Sequence, residues 1–143
     1  MGGGGLISGL GSYLKAQNPN VEVVACSPHN SCVMHRSLEA GELLDLPSEP
    51  TLSDSTAGGV EAGSITFDIC RRVVDRSLTV TESEIREALI RTMSLHSTLI
   101  EGAAAVAVAG LLKDRDSLNG RRACVILCGA NIPLKVLTEV LSY

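Results

Sequence analysis

Met1-Gly2-Gly3-Gly4-Gly5-Leu6-Ile7-Ser8-Gly9 opens the chain and sets the reading of everything after it. Four glycines lead straight into apolar residues at helical spacing. Consecutive amides in such a turn form an anion-binding nest, and the helix start behind it adds partial positive charge. The stretch therefore reads as a phosphate seat. Taken alone, it reads equally well as a flexible linker. Leu6, Ile7, Leu10, Tyr13 and Leu14 form one apolar face over 6–17. Ser8, Gly9, Gly11 and Ser12 are small enough to let this helix lie close to a sheet. Asn18-Pro19-Asn20 stops it, and Val21, Val23, Val24 and Ala25 suit a buried strand over 21–26. The order is glycine loop, helix, turn and strand. That is half of a βαβ unit whose first strand would lie before Met1, so the chain reads as a fragment.

Further elements continue the alternation. A helix is expected over 31–40, closed by Gly41. Residues 42–63 show no period and are rich in Ser, Thr, Gly and Pro, which suits a ligand-facing loop. Helix 65–74 and strand 77–80 follow. Thr81-Glu82-Ser83-Glu84 has the spacing of a capping box and opens a helix to about 94. The stretch 100–113 is apolar nearly all round and should be a buried helix. Asn119-Gly120 is a turn, 123–128 a central strand, and Pro133 the first turn of a last helix to 141. Strands alternating with helices define an α/β fold with a mostly parallel sheet. Ligands on such sheets sit beyond the strand C-terminal ends. The glycine loop and 128–131 qualify.

Composition removes several function classes. The 143 residues are 45% hydrophobic and carry a net charge of −4, with no basic footprint for nucleic acid. The apolar run 102–112 is too short to span a bilayer, and no secretory leader is visible. Cys26, Cys32, Cys70, Cys124 and Cys128 are odd in number and form no C-x-x-C pair, which fits reduced thiols in the cytoplasm or an organelle matrix. A zinc site from Cys26, His29, Cys32 and His35 can be drawn, but Pro28 interrupts it and the ligands do not form two separated pairs. No metal site is expected.

Five stretches together carry a resemblance: GGGGLISG at 2–9, TLSDSTAGGVEAGSITFD at 51–68, D-x-x-x-x-V-x-E-x-E-I at 75–85, EGAAAVAVAGLL at 101–112 and CGANI at 128–132. In order and spacing the chain resembles the C-terminal portion of the fold-type II pyridoxal-phosphate enzymes, the serine/threonine dehydratase and serine racemase group. The resemblance implies a three-layer α/β sandwich, the large-domain part of the tryptophan synthase beta-like fold without its N-terminal strands. Residues 1–143 would form one partial catalytic domain. It implies pyridoxal 5'-phosphate as cofactor, with Gly2, Gly3, Gly4 and Gly5 holding the phosphate through backbone amides. Cys128 falls where the family places a Ser or Cys beside the pyridine nitrogen; otherwise it reads as a small core hydrophobe. Glu101 falls near the cofactor, or else answers the dipole of its own helix.

The 54–59 loop is similar to one that lines the site. Most relatives carry Asp-Gly where this chain has Asp54-Ser55, and Asp54 otherwise reads as a loop-structuring residue. The family's Schiff-base lysine belongs to a segment not seen here. Lys15, Lys113 and Lys135 match nothing like it, so no catalytic residue is expected in this chain. Acidic ligands of metal-binding relatives are replaced at Cys26 and near Cys32, so the divalent-cation site is expected to be lost. The parent enzyme would dehydrate and deaminate threonine or serine to a 2-oxo acid and ammonia, as a homodimer, with a small amino acid as its partner and no membrane. A racemase-like parent, or a truncated paralogue without catalysis, is the alternative.

Overall fold

The computed structural model describes residues 1–142. In chain order the elements are α1 (Gly5–Gln17), β1 (Val24–Pro28), α2 (Val33–Ala40), α3 (Ile65–Val73), β2 (Arg76–Val80), α4 (Glu82–His96), α5 (Gly102–Lys113) and α6 (Leu134–Leu141). Short 3-10 turns lie at His29–Ser31, Asp54–Thr56 and Arg115–Leu118. β1 and β2 pair in parallel, with Val24 opposite Arg76 and Pro28 opposite Val80. Helix α2 packs on β2 and α3 on one face, with α1 against α3, while α5 covers both strands from the other face and α4 backs α5. The fold is thus a small α/β sandwich of three layers, as a parallel pair needs both faces covered.

Two glycines set the layer spacing. A Cβ on Gly110 would lie 2.3 Å from the Cys26 sulfur, so α5 sits directly on β1. A Cβ on Gly11 would lie 2.8 Å from Val73 Cγ2, so the small face of α1 receives α3 and Val23. The main core joins Val80, Ile85, Ala88, Leu89, Ala104, Ala105, Val106, Ala109 and Val140 between β2, α4, α5 and α6. A second cluster, Met34, Phe67 and Cys70, lies beneath the glycine loop and takes in Met1 and Ile7.

The capping box at α4 is complete: Thr81 N donates to Glu84 Oε2 at 2.7 Å, and Glu84 N donates to Thr81 Oγ1 at 3.3 Å. His35 is buried and bonds Ser77 Oγ through Nδ1 at 2.7 Å, tying α2 to β2. Arg76 makes a two-pronged pair with Asp114 at 2.6 and 3.1 Å and also meets Glu22, which in turn takes Arg121.

Three expectations shift. The first strand begins at Val24 rather than Val21, because Asp75 takes the place of a ladder partner: its carboxylate accepts Val23 N at 2.7 Å and its own amide donates to Val23 O at 2.9 Å. Pro133 caps α6 from outside at ψ 139° instead of occupying its first turn. The expected central strand at 123–128 does not form. This stretch is irregular and mostly exposed, since among the described residues β1 and β2 pair with each other alone and offer it no ladder. Its propensity is strand-like, but a strand exists only with a neighbour to receive its amides.

Candidate cofactor-phosphate site

Gly4 holds the bend before α1 at φ 83°. A side chain there would be strained, and its Cβ would come 2.9 Å from Cys70 Sγ and 3.0 Å from Met34 Cε. Carbonyls of the loop are taken from behind. Ser27 Oγ donates to Met1 O at 3.1 Å and Thr66 Oγ1 to Gly3 O at 2.6 Å. Cys70 Sγ lies 3.8 Å from Gly4 O, which also receives Ser8 N at 2.9 Å. In a planar trans peptide the next N–H points opposite to each carbonyl. The amides of Gly2, Gly4 and Gly5 therefore face away from these partners. The first intrahelical bond comes from Ser8, so Leu6 and Ile7 also keep amides without a helical acceptor. No acidic residue stands in the first turn, and no side chain caps it. Gly3 and Gly5 have nothing within 4 Å of a would-be Cβ. An open cradle of outward amides at a helix start fits a phosphate dianion.

The other wall is built by α5. Glu101 is its N-cap residue, yet its carboxylate makes no bond to its own helix. Oε1 accepts Ser55 Oγ at 3.1 Å, Oε2 accepts Asn131 N at 3.1 Å, and the Glu101 amide donates to Gly129 O at 3.1 Å. The 51–56 segment lies over the start of α5, where a Cβ on Gly102 would be 1.8 Å from Leu52 O. That segment is held by Leu52 N on Glu82 Oε2 at 2.7 Å and by Ser53 and Thr56, whose hydroxyls lie 2.6 Å apart. Asp54 shapes the turn, accepting Ser55 N on Oδ1 at 2.8 Å. Thr56 O would be 2.9 Å from a Cβ on Gly2, which brings the turn onto the glycine loop.

Cys128 is exposed and directly precedes Gly129. Gly2–Thr56, Ser55–Glu101 and Glu101–Gly129 thus form one chain of contacts from the glycine loop to the residue after Cys128. Of the six expected positions, Gly2 and Glu101 lie on this chain of contacts, Gly3 and Cys128 are their neighbours in it, and Gly4 and Gly5 lie further along the glycine loop. Ser55 and Gly129 lie in loops that the sequence marks as lining the site, without a role assigned to either, whereas Gly102 and Thr66 carry no such mark. The only signal for Gly102 was its place beside Glu101.

Other expected groups lie elsewhere. Lys15 pairs with Asp75 at 2.7 Å and Lys113 with Glu84 at 3.3 Å. Among the described residues no three His, Cys, Asp or Glu side chains converge as metal ligands. No helix among them is long and apolar enough to cross a membrane.

An α/β layer with outward amides at a helix start, flanked by two further loops, is a candidate seat for a phosphate-bearing ligand. The sequence matches the profile of the pyridoxal-phosphate dependent enzymes over residues 1–129, and the chain belongs to that family. It is 32% identical over 142 residues to the L-threonine ammonia-lyase of Thermotoga maritima, covering 99% of this chain and 35% of that protein. Its fold matches the serine racemase of Dictyostelium discoideum with a TM-score of 0.83 at 32% identity, over 93% of this chain and 42% of the other. It also matches the processed form of threonine deaminase isoform 2 from Solanum lycopersicum with a TM-score of 0.89 at 27% identity, over 99% of this chain and 41% of the other. The chain thus spans well under half the length of these relatives.

Proposed function

We propose that residues 1–143 form the phosphate and ring-nitrogen side of a pyridoxal-phosphate-dependent ammonia-lyase that converts threonine or serine to a 2-oxo acid and ammonia. The observation that carries this reading is the glycine loop with its carbonyls held from behind and its amides turned outward. Those amides bind the phosphate by charge-assisted hydrogen bonds, helped by the α1 dipole. When bound, the cofactor supplies the electron withdrawal that acidifies the amino-acid α-carbon. Cys128 would meet the ring nitrogen through a sulfur that is only a weak donor and acceptor, and would not stabilise a proton there as a carboxylate would. That weaker electron withdrawal suits loss of a β-hydroxyl.

We assign no catalytic residue within this partial domain, since Lys15 and Lys113 are engaged in ion pairs remote from the seat. The chain alone binds cofactor without turnover, and the whole enzyme works as a homodimer in the cytoplasm, which suits five free cysteines. The similarity to a serine racemase structure favours, as a second reading, a parent with racemase activity.

The test is a titration of the purified chain with pyridoxal phosphate, with inorganic phosphate as competitor, then borohydride reduction and peptide mapping. Saturable binding displaced by phosphate, with no labelled lysine and no 2-oxobutanoate from threonine, is the expected result. Absence of binding removes the seat. A stoichiometric adduct on Lys15, Lys113 or Lys135, or turnover, refutes the assignment of catalysis elsewhere.

A further inference from the structure

The Glu101 side chain joins the start of α5 to two other segments of the site, and we propose that it is a positioning residue. Its carboxylate ties the 129–131 loop to the 53–56 turn and so fixes where Cys128 stands. It does not meet the cofactor itself. The role given to Cys128 rests on the proposed function; the tie does not.

Both carboxylate oxygens are engaged by protein donors, one by Ser55 Oγ and one by Asn131 N, each at 3.1 Å. The backbone adds a third link, from Glu101 N to Gly129 O at 3.1 Å. The carboxylate also rests against Gly129, where a Cβ would fall 2.4 Å from Glu101 Cδ and 2.5 and 2.7 Å from its two oxygens. So Gly129 is needed because the carboxylate occupies the space of its side chain. Cys128 is the preceding residue, and its position follows from the clamp on Gly129. Ser55 completes the clamp through a hydroxyl that a glycine would lack. Because Thr56, the neighbour of Ser55, also adjoins Gly2, one carboxylate sets the spacing between phosphate seat and thiol.

Charge and shape can be separated here. Both partners of the carboxylate are neutral donors. A glutamine accepts from Asn131 N with its carbonyl and donates from its amide to Ser55 Oγ, whose hydroxyl can turn away. Glu101→Gln therefore keeps the clamp and loses the charge, whereas Glu101→Ala loses both. A residue acting by its charge on a bound ring predicts the opposite ranking.

The experiment measures alkylation of Cys128 by iodoacetamide in the 143-residue chain, by peptide mass spectrometry with exposed Cys124 as internal reference, beside the dissociation constant for pyridoxal phosphate. Glu101→Ala should change the Cys128 rate relative to Cys124 by about threefold or more, because this exposed thiol then stands beside an untethered loop. Glu101→Gln should stay within about twofold of wild type in both readouts, since its bonds survive. Gly129→Ala should resemble Glu101→Ala, and the double variant should differ from wild type no more than Glu101→Ala does, because the clash disappears with the carboxylate.

If Gln is as damaging as Ala, or if the effects of Glu101→Ala and Gly129→Ala simply add, the positioning role is wrong. Should Gly129→Ala fail to fold, the comparison of Ala with Gln at Glu101 decides alone. If the wild-type chain binds no cofactor while the alkylation pattern holds, the proposed function fails and the clamp stands.

Discussion

Replacing Gly102 by alanine tests the packing that places the 51–56 turn. Alanine normally improves a helix by up to about 1 kcal/mol over glycine. Here the new Cβ would stand 1.8 Å from Leu52 O, 2.4 Å from Leu52 C and 2.9 Å from Ser53 N. All three are backbone atoms, so no side chain can swing aside. Restoring ordinary contact at about 3.5 Å requires the 52–53 backbone to retreat by roughly 1.5 Å or more. That movement breaks the bond from Leu52 N to Glu82 Oε2, now 2.7 Å, a charge-assisted bond of about 1.5–3 kcal/mol. Strain of overpacking adds about 1–3 kcal/mol, and the helix gain offsets part of it. The net loss should be about 2–4 kcal/mol, read as a lower urea midpoint with unchanged slope. Gly9→Ala is the control: it lies in α1 with nothing within 4 Å of its Cβ, and it should raise stability. If Gly102→Ala leaves the midpoint unchanged or raises it as Gly9→Ala does, the close seating of the turn on α5 is refuted.

Gly4→Ala should weaken cofactor binding more than Gly3→Ala. Only Gly4 combines φ 83° with a Cβ position 2.9 Å from Cys70 Sγ, and the left-handed strain alone is about 1–2 kcal/mol; fluorescence titration checks it. His35 should make the fold acid-sensitive. Burial lowers its pKa from the ordinary 6.5, outweighing the pull of Glu39. Between the lowered value and 6.5 the unfolded chain binds more protons, so stability is full above that range and falls as pH drops through it. Urea midpoints from pH 7 to 5 should show this slope, and His35→Gln should flatten it. Leu89→Ala empties a fully buried site in the main core and should cost about 2–5 kcal/mol, measured by the same unfolding curves.

Local signals were legible wherever the cause is local. The spacing of Leu6, Ile7, Leu10 and Leu14 gave α1, and Thr81 with Glu84 gave the start of α4 to the residue. The glycine loop was recognisable because a helix start and an amide nest lie in adjacent residues. Features that depend on distant partners were not. Asp75 displaces the start of β1 from across the sheet, and no pattern near Val21 announces it. The stretch 123–128 has the composition of a strand, but pairing is a property of two segments. Glu101 was placed at the site, while its contacts with Ser55 and Asn131 join residues far apart in the chain and have no spacing to read.

The unpaired 123–128 stretch has a consequence for the chain in concentrated solution. Ala-Cys-Val-Ile-Leu-Cys carries no charge, and Ile126 and Leu127 are 41% and 47% exposed. Six uncharged residues with strand propensity and no strand partner among the described residues are a template for self-association between copies. Arg121 and Arg122 stand immediately before it, where like charges on approaching copies repel each other. Arg121 is half committed to Glu22, which leaves Arg122 the main guard. Colloidal behaviour should therefore depend steeply on salt: screening the two arginines lets the same six residues that fail to join the sheet nucleate an intermolecular one.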